Sequence, residues 1–178
     1  MTPQPIVVAI DPGVQLCYYA RLDHCGVLAY VGTSHPSSGS DVRVDTILVE
    51  RPISRAQDAR YRQVSPQTLI DLAWSAARAA YSLAGSNARK VVEFTPAQWK
   101  GSEPKPVQHA RLLEVLSDAE LALVGGADTR NRVLAAQRKG ALDRWAKPGA
   151  SYYGRWTGHN VLDAVAIAMT YVGRLAKR

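Results

Sequence analysis

Three acidic residues of this chain stand where apolar side chains are expected. Asp11 and Glu50 each end a short apolar run, and Asp163 lies in a C-terminal segment that is apolar on nearly all sides. A buried carboxylate is costly unless a cation or a hydrogen-bond donor neutralises it. Three such acids, far apart in sequence, therefore predict one shared site that binds a hard cation through oxygen ligands.

The apolar runs also predict the fold. Runs rich in Val and Ile, bounded by Gly, Pro and polar residues, predict five strands at residues 6–11, 15–22, 26–33, 43–50 and 90–94. Helical patterns cover residues 66–83, 104–116, 129–145 and 159–175, and Ser65 with Pro66 marks the start of the first. Three strands followed by alternating strands and helices indicate an α/β protein with a mixed five-stranded sheet flanked by helices. If the strands ending at Asp11 and Glu50 are parallel neighbours, both acids emerge at the end of the sheet where functional groups gather.

Composition narrows the class of protein. The 178 residues suit one domain with a real core, and the 47% hydrophobic content is typical of a folded chain. No apolar run approaches the roughly 20 residues that span a bilayer, and the start lacks a signal-peptide pattern, so we expect a protein that works inside the cell. Cys17 and Cys25 are expected to be reduced thiols, because no second pair completes a zinc site.

Charge is unevenly distributed along the chain. The first 50 residues contain two basic and five acidic side chains, whereas residues 51–178 contain 20 basic and 10 acidic ones. A basic body around an acidic centre suits a polyanionic partner that must reach a bound metal. A merely basic soluble surface would have the same composition.

The segment around Asp163 adds two further polar groups. Asn160 and His159 precede Asp163 by three and four residues, so on a helix all three side chains share a face. An amide, an imidazole and a carboxylate placed together could ligate a metal or position water. Two divalent cations held about 3.5–4 Å apart by carboxylates can activate water for attack on a phosphodiester. The chain shows no signature of a covalent nucleophile.

Four segments, in this order, resemble the motifs of one family: Ile10-Asp11-Pro12-Gly13, Val49-Glu50, residues 92–100 with Pro104-Lys105, and His159-Asn160-Val161-Leu162-Asp163-Ala164. The chain is similar to RuvC-type Holliday junction resolvases, which are endonucleases of the ribonuclease H-like fold, and most resembles the short versions that bacteriophages encode. The similarity spans nearly the whole chain, and the order of its short motifs makes it specific.

The resemblance implies a homodimer that grips a four-way DNA junction and nicks two strands symmetrically. It implies Asp11, Glu50 and Asp163 as ligands of Mg²⁺, with two ions and with Mn²⁺ as a substitute. The fourth ligand is open between Asn160 and His159, since the family's usual acid or histidine is replaced by Asn160. No nucleotide cofactor and no membrane partner are implied.

Basic residues complete the predicted site. The resemblance implies that Lys100 and Lys105 hold phosphates near the scissile bond. Lys105 and Asn160 are also counted among the predicted catalytic residues. Four arginines after the second acid could line the open centre of the junction, or could belong to an ordinary solvated loop: Arg51, Arg55, Arg60 and Arg62. The basic segment at about 128–158 has no assigned role.

Two other classes of protein compete with this interpretation. Actin-like sugar kinases and ATPases also begin with a strand, an Asp and a Gly, but they need a duplicated domain and further phosphate loops that this chain lacks. A module of the same fold that binds branched DNA without cutting it is harder to separate, because Asn160 could mark a weakened metal centre. Metal-dependent nicking of a four-way junction distinguishes the nuclease from both.

Overall fold

The computed structural model describes residues 5–13, 15–33, 44–51, 65–84, 88–99, 101, 103–142 and 158–176. Five strands lie in these ranges: β1 (Val7–Pro12), β2 (Cys17–Leu22), β3 (Leu28–Gly32), β4 (Thr46–Glu50) and β5 (Lys90–Phe94). Six helices accompany them: α1 (Pro66–Ala84), α2 (Pro96–Trp99), α3 (Lys105–Val115), α4 (Asp118–Leu123), α5 (Gly126–Leu142) and α6 (Gly158–Tyr171).

The strands form one mixed sheet in the order β3-β2-β1-β4-β5. The first three strands are antiparallel neighbours, whereas β4 and β5 run parallel to β1. The predicted α/β class and the mixed five-stranded sheet flanked by helices are therefore confirmed, and the strands that carry Asp11 and Glu50 are parallel neighbours. That the chain is a single domain stays a prediction.

Alternation along the strands divides the core into two layers, because successive side chains of a strand point to opposite faces. Val8 and Ile10 of β1 pack on one face with Ala79 and Leu83 of α1. The other face is covered mainly by α6, which contacts β1, β2, β3 and β4. Full burial of a side chain such as Ile10 contributes about 1.5–3 kcal/mol.

The apolar C-terminal helix is explained by its place between other elements. Residues 162–169 of α6 are all buried, since the helix packs on the sheet and on α3. Helix α6 ends at Tyr171 and not at the predicted residue 175. Gly173 there adopts a φ of 77°, and Arg174 and Leu175 donate backbone hydrogen bonds to the Met169 carbonyl.

Other boundaries also differ from the prediction. The third and fourth strands begin at Leu28 and Thr46, two and three residues later than expected, and α5 begins at Gly126 instead of Thr129. Residues 143–145 of the predicted helix lie outside the described part of the chain. The short helices α2 and α4 were not predicted, because four and six residues show too little periodicity.

None of the helices within the described ranges is long and apolar enough to cross a membrane. Cys17 is half-buried and Cys25 is exposed, and both are free thiols, as expected.

Candidate active site

Asp11 and Glu50 lie side by side at one end of the sheet. Ile10 pairs with Val49 in the parallel register, so the next residues of the two strands are neighbours. Alternation places Asp11 on the same face as Ala9, and Glu50 on the same face as Leu48. That face is the one that α6 covers, and the register thus directs both carboxylates toward the helix that carries the third acid.

Asp163 completes the group from α6. The three acids, with Asn160 of the same helix, line a cavity of about 210 Å³. Its wall also includes Trp99 and Lys105, together with Pro12, Gly13 and Tyr18. The structure therefore brings together, from three separate elements, the three acids that the sequence singled out.

Asp11 is buried among like charges. Burial, followed by repulsion from Asp163 and Glu50 and a hydrogen bond with the Glu50 side chain, raises the pKa of Asp11 well above its ordinary value. Lys105 opposes this shift only in part. A cation placed among the three acids would offset the repulsion that helps to raise the pKa of Asp11.

Asp163 is compensated by two neighbours. Its Oδ1 lies 2.8 Å from His109 Nε2, and its Oδ2 forms an ion pair with the Lys105 ammonium. Burial disfavours the charged carboxylate, but Lys105 and then His109 outweigh burial and lower the pKa of Asp163. Asp163 is thus held as a carboxylate in the core, although it is only 3% exposed.

Glu50 is held by a buried indole. Trp99 Nε1 donates a hydrogen bond of 3.2 Å to Glu50 Oε1, and the Trp99 side chain is buried. Gln108 in turn donates from Nε2 to the Trp99 carbonyl at 3.0 Å, and it is also buried. The orientation of Glu50 therefore depends on α2 and α3 as well as on its own strand.

The two candidates for a fourth ligand have different surroundings. Asn160 lines the cavity with the acids, whereas His159 Nδ1 lies 3.3 Å from Lys105 Nζ. Burial and the charge of Lys105 lower the pKa of His159 to about 4, so its imidazole is neutral at pH 7. The geometry favours Asn160 as the side chain that faces the same space as the carboxylates.

Two of the six predicted DNA-contacting residues, Lys105 and Arg51, lie in the described part of the chain. Lys105 is at the start of α3, inside the acid cluster, with its side chain 27% exposed. Arg51 is exposed, and its guanidinium lies 3.5 Å from the Glu93 carboxylate of β5. The remaining predicted contacts lie outside the described residues: Arg55, Arg60, Arg62 and Lys100.

The donor set fits a hard divalent cation in its chemistry. Three carboxylates and one amide supply the oxygen ligands that Mg²⁺ prefers. Among the described side chains, no group of three or more His, Cys, Asp and Glu residues is arranged to hold an ion as it stands. In this state Lys105 and His109 engage the two oxygens of Asp163, so an ion would have to replace the ammonium.

Two residues of the site were not given their roles by the sequence. His109 follows Lys105 by four residues on a predicted helix and so shares its face, which is the signal that could have found it. The hydrogen bond from the Trp99 N–H to Glu50 was not predicted either. A hydrogen bond between side chains that are 49 residues apart leaves no pattern in the local sequence.

A scan against protein-family models finds no match to this chain, and a search of curated proteins finds no significant relative.

Proposed function

We propose that this chain is a metal-dependent endonuclease of the ribonuclease H-like fold that nicks Holliday junctions or other branched DNA. The observation that carries the proposal is the convergence of Asp11, Glu50 and Asp163 on one cavity from β1, β4 and α6. The order of the acidic motifs, which resembles that of RuvC-type resolvases, and the net charge of +7 also support it.

The residues of the site have complementary tasks in this proposal. Asp11, Glu50 and Asp163, with Asn160, would hold Mg²⁺ or Mn²⁺. When bound, such ions supply a water nucleophile at neutral pH and stabilise the leaving oxygen of the phosphodiester. Lys105 lines the same cavity, and once released from Asp163 its charge would hold a DNA phosphate there and position the strand.

One observation favours a second candidate, a module that binds branched DNA without cutting it. Lys105 already neutralises Asp163, and an amide stands at the fourth position. A protein that keeps this internal ion pair would retain a folded, basic surface without needing a metal. Binding and cleavage must therefore be measured separately.

The test uses a synthetic four-way junction and a linear duplex of the same sequence, each with Mg²⁺, Mn²⁺ or EDTA. The nuclease predicts metal-dependent nicks confined to the junction, whereas binding without nicks would support the module. Binding by either should weaken steeply as salt rises, because phosphate neutralisation releases counterions. A flat salt response would contradict DNA as the partner, and ATP turnover would support a kinase-like ATPase.

Asp11→Asn gives the sharpest variant. Nicking should fall by more than the ~10–100-fold typical of residues behind the ligands, while binding to the junction in EDTA is retained. The metal-free protein should be as stable as the wild type or more so, because the amide removes repulsion from Asp163 and Glu50.

The matched control is Asp128→Asn, which makes the same change on the exposed surface of α5. It should leave nicking unchanged. Full activity in Asp11→Asn, or in Asp163→Asn, would contradict the assignment of these acids.

A further inference from the structure

His109 is a polar side chain in a place that ordinarily requires an apolar one. It is completely buried, in the same turn of α3 as the equally buried Gln108. An imidazole removed from water must find hydrogen-bond partners, or its burial costs free energy. The Nε2 atom of His109 meets this need by lying 2.8 Å from Asp163 Oδ1.

The direction of this hydrogen bond follows from the charge of Asp163. The Lys105 ammonium forms an ion pair with Oδ2, so Asp163 is an ionised carboxylate whose oxygens only accept. The proton between the two residues therefore belongs to His109 Nε2, which donates to Oδ1.

The two oxygens of Asp163 face different surroundings. Oδ1 is bound by His109, whose side chain is 0% exposed, whereas Oδ2 is bound by Lys105, which is 27% exposed and lines the cavity. The Lys105 contact can be exchanged from the cavity without disturbing the core. The His109 contact cannot be, because it is formed inside the core.

We propose that His109 is a positioning residue, which fixes the Asp163 carboxylate through Oδ1 so that Oδ2 stays directed into the cavity to bind the cation. The inference rests on the proposed function and adds to it a residue outside the ligand set. The same turn of α3 serves Glu50, since Gln108 holds the Trp99 carbonyl and Trp99 holds Glu50 Oε1. One turn of helix thus orients two of the three acids.

Removal of the donor gives the first test. His109→Phe keeps an aromatic ring in the core but has no N–H for Oδ1. We expect its affinity for Mn²⁺, measured by isothermal titration calorimetry without DNA, to fall by about 10–100-fold. The Mn²⁺ concentration needed for half-maximal nicking should rise by the same factor, while junction binding in EDTA stays at the wild-type level.

Restoration of the donor gives the second test. His109→Gln places an amide N–H near the position of Nε2, and we expect this variant to bind Mn²⁺ within a few-fold of the wild type. It also covers the case in which the Phe variant does not fold. Glu114→Gln, on the exposed side of α3, is the matched control and should bind Mn²⁺ as the wild type does.

The outcomes separate the two proposals. Wild-type protein that binds no Mn²⁺ and nicks no junction would overturn the proposed function and this inference with it. Where the wild type binds Mn²⁺, unchanged affinity in folded His109→Phe would overturn the positioning role alone. The positioning role would also be overturned if folded His109→Gln lost Mn²⁺ affinity by 10-fold or more, because the restored N–H donor would then not have restored binding.

Discussion

At the scale of single residues, the site depends on how one buried charge is shared. Asp163 is paired with Lys105 on the cavity side and with His109 on the core side. The sequence predicted that a carboxylate on an apolar helix needs a compensating group, and it pointed to a metal. The structure shows an ammonium in that role, and the two partners lie 54 and 58 residues from Asp163 in the chain.

We expect Lys105→Met to change stability in a metal-dependent way. Without metal, the Asp163 carboxylate loses its closest cation, and the free energy of unfolding should fall by about 1–3 kcal/mol. With Mn²⁺ bound, the ion replaces the lost charge and the deficit should shrink. Urea unfolding in EDTA and in Mn²⁺ measures both values.

The control for Lys105→Met is Lys90→Met, which removes an exposed lysine of β5 and should change neither value by more than a few tenths of a kcal/mol. An equal deficit with and without Mn²⁺ would show that Lys105 and the cation do not share Asp163.

At the scale of elements, the strands were predictable and the links between helices were not. Continuous Val- and Ile-rich runs predicted β1, β4 and β5, whereas the pairing of β1 with β4, which makes Asp11 and Glu50 neighbours, is seen only in the structure. Helix α4 is short, yet its start has a recognisable pattern: Ser117 accepts from the Glu120 backbone N–H, and the Glu120 side chain accepts from the Ser117 backbone N–H. Such a pattern predicts where a helix begins, but it cannot show what else the glutamate binds.

Glu120 links three elements that are distant in sequence. Its Oε1 accepts from the Leu28 backbone N–H of β3 at 2.8 Å, and Arg174, just after α6, donates to both of its oxygens at 2.5 and 2.8 Å. Burial works against the Glu120 carboxylate, but Arg174, Leu28 and Ser117 lower its pKa to about 2. The charge of Glu120 is therefore part of the packing between α4, β3 and the C-terminal segment.

This link predicts a dependence of stability on pH. Because the folded pKa of about 2 lies below the ordinary 4.5, the unfolded chain binds more protons between these values. The contribution of Glu120 is fully present above about pH 4.5 and is lost as the pH falls toward 2. In Glu120→Gln this part of the acid destabilisation should disappear, and stability at pH 7 should fall by about 1–3 kcal/mol, since Arg174 loses its carboxylate.

Chemical denaturation gives the free energy of unfolding at pH 7 and at pH 3, and the effect is the difference between these two free energies. Glu114→Gln, an exposed substitution on α3, should keep the wild-type difference. The same difference in Glu120→Gln as in the wild type would contradict a role for this carboxylate in the acid response.

At the scale of the whole molecule, α1 has a second apolar side that the core does not use. Its inner side chains pack on the sheet, whereas Ile70, Trp74 and Tyr81 are 54%, 66% and 83% exposed. Their spacing places them along one side of the helix. Exposed apolar stripes of this kind are typical of interaction surfaces. Periodicity predicted the helix, but the side that meets the sheet could not be chosen, because both sides are apolar.

The resemblance implies a homodimer without placing its interface, and we propose that a second copy of the chain covers this stripe. Aromatic anchors buried at an interface each contribute about 2 kcal/mol or more, which is roughly a 30-fold change in Kd. We therefore expect the wild type to sediment as a dimer and the double variant Trp74→Glu/Tyr81→Glu to sediment as a monomer at the same concentration.

Helix α1 also contacts the loop after Asp11. Ser75, beside Trp74, donates a hydrogen bond of 2.7 Å to the Gly13 carbonyl in that loop. If this hydrogen bond survives in the monomeric variant, the variant should bind Mn²⁺ as the wild type does. On a junction, it should give single nicks in place of paired ones.

Leu134→Glu, which charges an exposed apolar residue on α5, is the matched control and should remain dimeric with paired nicks. A wild-type protein that stays monomeric at every concentration tested, yet nicks both strands in a concerted way, would exclude the α1 surface as the basis of symmetric cleavage.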